Sequence, residues 1–252
     1  MIFGFDLELF ERTGLAIPIE LKLETWCHHL LCGASGTGKS TALLYFLGNL
    51  CKENIEIWIC DYKNSEDFEF IEGYKHFYYG DATYEGIMVF YEEFNIAKAN
   101  KSSRKKRILI VDEFPSFIIN LQMLDKINKT KKATDVKNAI SSVLILGRGL
   151  TQSCWIVCQR PDSSLFGAGA RDNFMVCTLL GNGSKEANQM IFCGEDLPNN
   201  TYGKGEGLMS IDGKGIISVK YPIIKNIEKW KSNIIYELNK NKSDESIENI
   251  KS

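Results

Sequence analysis

The chain has 252 residues, 44% hydrophobic and 25% charged, enough apolar material for a proper core in one large α/β domain or two small ones. Its net charge of −2 announces no polyanionic partner, so any nucleic-acid contact must come from local basic patches. No stretch approaches the roughly 18 apolar residues that span a bilayer, and no basic-then-apolar segment opens the chain. A cytoplasmic protein is expected, without direct membrane insertion, any membrane association being borrowed from a partner.

Residues 1–26 read as short strands and turns, Ile2 to Leu9 and Leu15 to Leu21, ahead of the core. From Cys27 onward strand and helix patterns alternate. The apolar strand run His28 to Cys32 leads into Gly33-Ala34-Ser35-Gly36-Thr37-Gly38-Lys39-Ser40, which matches Gly-x-x-x-x-Gly-Lys-[Ser/Thr], the phosphate-binding P-loop, in its expected context. Glycines there let successive N–H groups turn inward around phosphate oxygens, and the helix that starts near Lys39 adds its positive end. Lys39 is placed to reach the β- and γ-phosphates of ATP, and the Ser40 hydroxyl to ligate Mg²⁺.

The helix Ser40 to Cys51 is apolar at Leu43, Leu44, Phe46, Leu47 and Leu50. Ile55 to Cys60 is the next strand, ending at Asp61. A short helix near Ser65 to Ile71, a strand His76 to Tyr79 and a longer helix Thr83 to Ala99 follow. Ile108 to Val111 is an unbroken apolar run suited to a strand buried on both faces, and it ends in Asp112-Glu113. This is the Walker B pattern: Asp112 holds Mg²⁺, directly or through water, and Glu113 polarises the attacking water. An acidic pair also favours a helix N-terminus, but after a P-loop and a buried strand the hydrolytic reading prevails.

Helices are expected at Phe114 to Leu124 and Val136 to Leu146, the second broken by Gly147-Arg148-Gly149, where a guanidinium on a Gly-flanked turn suits phosphate. The strand Cys154 to Cys158 ends at Gln159, well placed to contact a γ-phosphate or the lytic water. The strand Phe174 to Leu179, a helix Lys185 to Ile191 and a hairpin of Leu208 to Ile211 with Ile216 to Tyr221 around Asp212-Gly213 complete the core. The tail from Lys225 reads as a helix to about Leu238 and a disordered remainder. The alternation implies a mainly parallel sheet with ligands at the C-terminal strand ends.

The eight cysteines (Cys27, Cys32, Cys51, Cys60, Cys154, Cys158, Cys177 and Cys193) include no Cys-x-x-Cys pair and read as small hydrophobes in a reducing compartment. His28 and His29 abut the first strand and carry no assigned catalysis. Two basic clusters interrupt the core, Lys98, Lys101, Arg104, Lys105, Lys106 and Arg107, then Lys126, Lys129, Lys131 and Lys132. Either is as well read as a solvated loop as a phosphate-contacting DNA patch, and the two need not form one surface.

Taken in order, Gly-Ala-Ser-Gly-Thr-Gly-Lys-Ser, Ile-Val-Asp-Glu-Phe, Gly-Arg-Gly-Leu and Cys-Gln-Arg-Pro-Asp resemble the FtsK/SpoIIIE family of motor ATPases. Further similarity lies in Cys60-Asp61-Tyr62-Lys63, Arg171-Asp172-Asn173-Phe174 and Tyr202-Gly203-Lys204-Gly205-Glu206-Gly207-Leu208-Met209, so the resemblance covers about Cys27 to Tyr221. It implies a RecA-like P-loop NTPase core working as a ring, usually a hexamer, with ATP sites between subunits. Arg148 then corresponds to the arginine acting on a neighbour's γ-phosphate, Gln159 to the γ-phosphate sensor, and Thr41 lies near the α-phosphate. Asp61 and Lys63 are weaker correspondences, with a structural role as good a reading. Tyr62 stands in place of the family's Pro, and Cys158 in place of Thr. No membrane region or DNA-reading domain accompanies the motor, which makes it similar to compact versions on mobile elements. Double-stranded DNA transfer in conjugation, with a membrane-bound or relaxase partner, is the expectation, and protein secretion or a non-motor ATP switch is the alternative. The expected divisions are 1–26, an N-terminal segment on the core, 27–224, the motor domain, and 225–252, the tail.

Overall fold

Pairing of the apolar runs produces a ten-stranded sheet among the residues described by the structure, a computed structural model: 1–100, 105–162, 165–166 and 169–248. Lys101 and Arg104 of the first basic cluster lie outside the described residues. The first half of the chain forms β1 (Ile2–Asp6), α1 (Leu7–Thr13), β2 (Pro18–Glu20), β3 (His29–Gly33), α2 (Lys39–Leu50), β4 (Glu56–Asp61), β5 (Phe77–Tyr79), α3 (Thr83–Ala99) and β6 (Arg107–Asp112). The second half forms α4 (Phe114–Asn128), α5 (Lys132–Leu146), β7 (Gln152–Cys158), β8 (Val176–Leu180), α6 (Lys185–Phe192), β9 (Glu206–Ile211), β10 (Gly215–Lys220) and α7 (Ile227–Glu248).

Across the sheet the order is β2-β1-β10-β9-β8-β3-β7-β6-β4-β5. The strands from β8 to β5 are parallel, and β9, β10, β1 and β2 extend that sheet as antiparallel neighbours. The central strands are buried on both faces because each feeds two cores. In β6, Leu109 and Val111 enter the core under α3, α4 and α5, while Ile108 and Ile110 enter the one under α2 and α7. Such a strand has no solvent face, which is why its sequence is unbroken apolar.

Three elements differ from the sequence expectation, the first being the helix expected near Ser65 to Ile71, of which only a 3₁₀ turn, Glu69–Ile71, forms. The run Ile2 to Leu9 turns into α1 after Asp6, because the Asp6 carboxylate accepts from the Leu9 N–H at 2.9 Å and Gly14 closes the helix in a left-handed conformation (φ 71°). At the other end α7 runs to Glu248, well past Leu238. Its inner face buries Ile234 and Leu238, and Trp230 stacks on Tyr45 of α2 with ring planes 8° apart. The eight cysteines are free thiols, six of them (Cys27, Cys32, Cys51, Cys60, Cys154 and Cys158) fully buried. His28 and His29 are core residues. His28 Nδ1 accepts from the Cys154 N–H at 3.0 Å, His29 Nε2 lies 2.9 Å from Thr178 Oγ1, and burial lowers their pKa values to about 4 and about 3.

Candidate active site

The parallel strands deliver their C-terminal ends to one cleft. Strand β3 ends at Gly33 and hands the chain to the P-loop, β4 ends at Asp61, β6 at Asp112, and β7 leads into Gln159. Register places Asp61 opposite Asp112, and Cys32 opposite Cys158 with their sulfurs 3.2 Å apart. The resulting cleft has a volume of about 420 Å³ and is lined by Ser35, Gly36 and Gly38 to Thr41 of the P-loop together with Asp112, Glu113 and Gln159.

The P-loop turns through Gly36 (φ 81°) and Gly38 (φ 101°), conformations open to glycine and strained for other residues. Gly38 also touches a second backbone: a Cβ there would stand 2.9 Å from the Gly205 nitrogen, whose N–H donates to Thr37 O at 2.8 Å. The Lys39 ammonium folds over the loop and donates to Gly33 O at 2.6 Å and Ala34 O at 3.1 Å. Burial lowers its pKa, against the pull of Glu113 and Asp112. An ammonium already desolvated and lodged at the loop mouth is well suited to a phosphate oxygen. Ala34 and Ser35 are exposed on the rim, and Ser40 and Thr41 open α2 facing the cleft.

Asp112 sits among carboxylates. Burial first, then Asp61 and Glu113, push its pKa up to about 7. Its Oδ1 accepts from the Glu113 N–H at 3.0 Å. A buried carboxylate lining the same cleft as the Ser40 hydroxyl is a hard-oxygen donor set that fits Mg²⁺, which needs few protein ligands because it keeps waters and takes phosphate oxygens. When bound, the ion would neutralise phosphate charge.

Glu113 has a left-handed backbone (φ 54°, ψ 38°), a conformation costing a non-glycine residue about 1–3 kcal/mol. Its side chain is held in place. Oε1 accepts from Lys63 Nζ at 2.7 Å and from Gln159 Nε2 at 3.1 Å, and Oε2 lies 3.5 Å from Ser116 Oγ. The structure thus brings Lys39, Ser40, Asp112, Glu113 and Gln159 together.

Arg148 is elsewhere. It lies on a 3₁₀ turn, Gly147–Leu150, before β7, hence at the opposite end of the strands, where it lines a small cavity of about 50 Å³ with Glu24, Cys27 and Lys106. Residues without an assigned role also reach the cleft. Ser65, Asp67 and Lys204 line it beside Lys63. Lys204 comes from the segment 202–209 already noted for its resemblance, which docks on the P-loop because β9 is only two strands from β3. No contiguous pattern marks Ser65. It is placed by buried Asp61, whose Oδ2 accepts its N–H at 2.7 Å and its hydroxyl at 3.0 Å.

Three of the four described members of the first basic cluster are paired within the fold. Lys105 and Arg107 pair with Glu56 at 2.7 and 2.9 Å, Arg107 also with Glu93 at 2.8 Å, and Lys106 with Glu24 at 2.6 Å. In the second cluster Lys132 covers the Tyr84 ring, and Lys126, Lys129 and Lys131 are exposed.

No protein-family model and no curated protein matches the chain. Solved structures do. The conjugation coupling protein TcpA of pCW3, solved as a monomer with ATPγS, superposes with TM-score 0.70 at 20% identity over 87% of this chain and 67% of that one. EssC (ATPases 2 and 3) from Geobacillus thermodenitrificans gives 0.70 at 13% identity over 96% of this chain, which spans 48% of its length. VirB4 of Thermoanaerobacter pseudethanolicus gives 0.58 at 12% identity over 90% of this chain and 98% of that one. The chain shares the RecA-like α/β P-loop fold of these solved structures, the fold class that the order of its motifs implied.

Proposed function

We propose that the chain is a Mg²⁺-dependent ATPase motor, FtsK/SpoIIIE-like, that moves double-stranded DNA in conjugative or mobile-element transfer. The observation that carries the hydrolytic part is the convergence of Lys39, Ser40, Asp112, Glu113 and Gln159 on one cleft. The P-loop amides of Gly33 to Thr41 and Lys39 bind the triphosphate, Ser40 and Asp112 hold Mg²⁺, Glu113 takes the proton of the attacking water, and Gln159 reports the γ-phosphate to β7. Arg148, at the opposite strand ends, supports a ring, hexameric by resemblance, in which it serves a neighbour's site. Residues 27–224 form the motor domain, with 1–26 as an N-terminal segment on it and 225–252 as a C-terminal helix and tail.

The DNA assignment rests on the exposed lysines at the turn between α4 and α5, with a membrane-bound or relaxase partner loading the substrate. Its test is the ATPase rate with duplex DNA, single-stranded DNA and no DNA across a salt series. Duplex DNA is expected to stimulate at low salt and to lose its effect as salt rises; no stimulation overturns the DNA reading. One observation favours the second reading, movement of a protein substrate in secretion. Ile119, Met123 and Ile127 of α4 are 55%, 58% and 74% exposed and, four residues apart, form one apolar stripe.

A further inference from the structure

Lys63 stands at the centre of the cleft in a way its motif does not explain. Its ammonium lies 2.7 Å from Glu113 Oε1, the same oxygen that accepts from Gln159 at 3.1 Å. A carboxylate oxygen has two lone-pair sites, so Oε1 is fully engaged. Only Oε2 remains, 3.5 Å from Ser116 Oγ. A base whose oxygen is covered by an ammonium accepts no proton there until that ammonium leaves.

The mounting of Lys63 is fixed by hydrogen bonds, while its side chain is half-exposed. Its N–H donates to Asp61 Oδ1 at 3.1 Å, Ser65 closes the same turn through Asp61 Oδ2, and Asn64 between them takes a left-handed conformation (φ 53°). The neighbouring Tyr62 ring packs on Phe117 of α4, with ring centres 5.3 Å apart. The side chain beyond is 46% exposed, against 6% for Glu113. It also lines the cleft that holds Lys39 and Asp112. The ammonium therefore has two anions within reach of one anchored stem, the Glu113 carboxylate and whatever occupies the far end of the phosphate cradle.

We propose that Lys63 is a positioning residue that exchanges between Glu113 and the γ-phosphate, covering Glu113 Oε1 until a triphosphate draws the ammonium away. This rests on the ATPase reading above and adds to it a means of telling ATP from ADP. A diphosphate lacks the oxygens that compete for Lys63, so it leaves the pair intact. Asp61 then acts through Lys63, by fixing the turn from which it reaches.

The experiment is equilibrium binding of ATPγS and of ADP, with Mg²⁺, to the wild-type chain, Lys63→Met and Lys63→Arg, followed by a structure with ATPγS bound. Lys63→Met is expected to weaken ATPγS about tenfold, the loss of one charge-assisted hydrogen bond, and to leave ADP within about twofold. Lys63→Arg should restore most of the loss. ADP binding doubles as the check that the variant is folded. In the bound structure Lys63 Nζ should lie on the γ-phosphate, with Glu113 Oε1 released. Equal weakening of both nucleotides, weakening of neither, or a Lys63–Glu113 pair intact beside bound ATPγS overturns the proposal and leaves the ATPase reading standing. A wild-type chain that binds neither nucleotide overturns both.

Discussion

Replacing Gly48 by Ala separates local propensity from packing, because the two predict opposite signs. Gly48 lies inside α2, where exchange for Ala should by propensity alone stabilise by about 1 kcal/mol. The added Cβ, however, would stand 2.4 Å from Cε2 and Cζ2 of Trp230 and 2.6 Å from its Nε1. Carbon atoms in contact prefer about 3.5–4.0 Å, so the indole must retreat by more than an ångström. The retreat breaks the 2.9 Å bond from Trp230 Nε1 to Leu44 O and the stack on Tyr45. Overpacking of this kind costs about 1–3 kcal/mol and the lost hydrogen bond about 1 kcal/mol. Set against the propensity gain, the net expectation is a loss of about 1–3 kcal/mol. In a Trp230→Ala background the obstruction is gone, and the same Gly48→Ala change should stabilise by about 1 kcal/mol. Urea denaturation of the four proteins of this cycle gives the coupling directly. Stabilisation by Gly48→Ala in the wild-type background, or equal effects in both backgrounds, would refute the packing argument.

Glu113→Gln keeps the size of the side chain and removes the proton acceptor, so steady-state ATP turnover should fall about 10²–10⁴-fold while ATPγS binding survives. Unchanged turnover would remove Glu113 from the chemistry. Mixing Arg148→Ala subunits with Glu113→Gln subunits should recover part of the activity each lacks alone, because a mixed contact unites an intact Arg148 with an intact Glu113. No recovery at any ratio counts against a shared site. Glu56→Gln should cost about 1–3 kcal/mol at pH 7 in urea denaturation, since it removes the carboxylate charge that Lys105 and Arg107 share. Burial would raise the Glu56 pKa, but hydrogen bonds from His76, Lys105 and Trp58 outweigh it and hold the carboxyl well below its usual range. A depressed folded-state pKa gives stability that is present above the unfolded value and lost as pH falls through the folded one. The gap between wild type and variant should therefore narrow below about pH 4.5, and a gap constant down to pH 3 would contradict this pairing.

What was legible in the sequence was whatever depends on near neighbours. Helix α3 has the bounds its periodicity predicts, Thr83–Ala99, and the hairpin of β9 and β10 turns at Asp212-Gly213 with Gly213 at φ 74°. The α1 helix was missed although its caps, Asp6 and Gly14, are plain in the sequence, because the apolar run Ile2 to Leu9 suits a strand as well as a helix start. The pairing of β1 with β10 joins Phe5 to Lys220 and leaves no local trace. The basic cluster before β6 shows the same limit. Its charges are visible, but its partners Glu24, Glu56 and Glu93 come from three other parts of the chain. A charge run becomes a patch or a packed network according to residues far away in sequence.

The site divides along the same line. Lys39, Asp112, Glu113 and Gln159 stand out because each closes or follows a buried strand, and parallel strands send such ends to one place. Lys63 and Lys204 lie in segments whose resemblance is visible in the sequence, but that both line this cleft appears only in space. Arg148 belongs to the opposite case, and the parallel sheet explains why. Strand β7 carries Gln159 at its C-terminal end and the Arg148 turn at its start, and its seven residues span roughly 23 Å. No side-chain rotation crosses that distance. A strand with Gln159 at one end and an exposed guanidinium at the other cannot serve one nucleotide with both. If Arg148 meets a γ-phosphate at all, it is one bound by another copy, and β7 then links two successive sites mechanically.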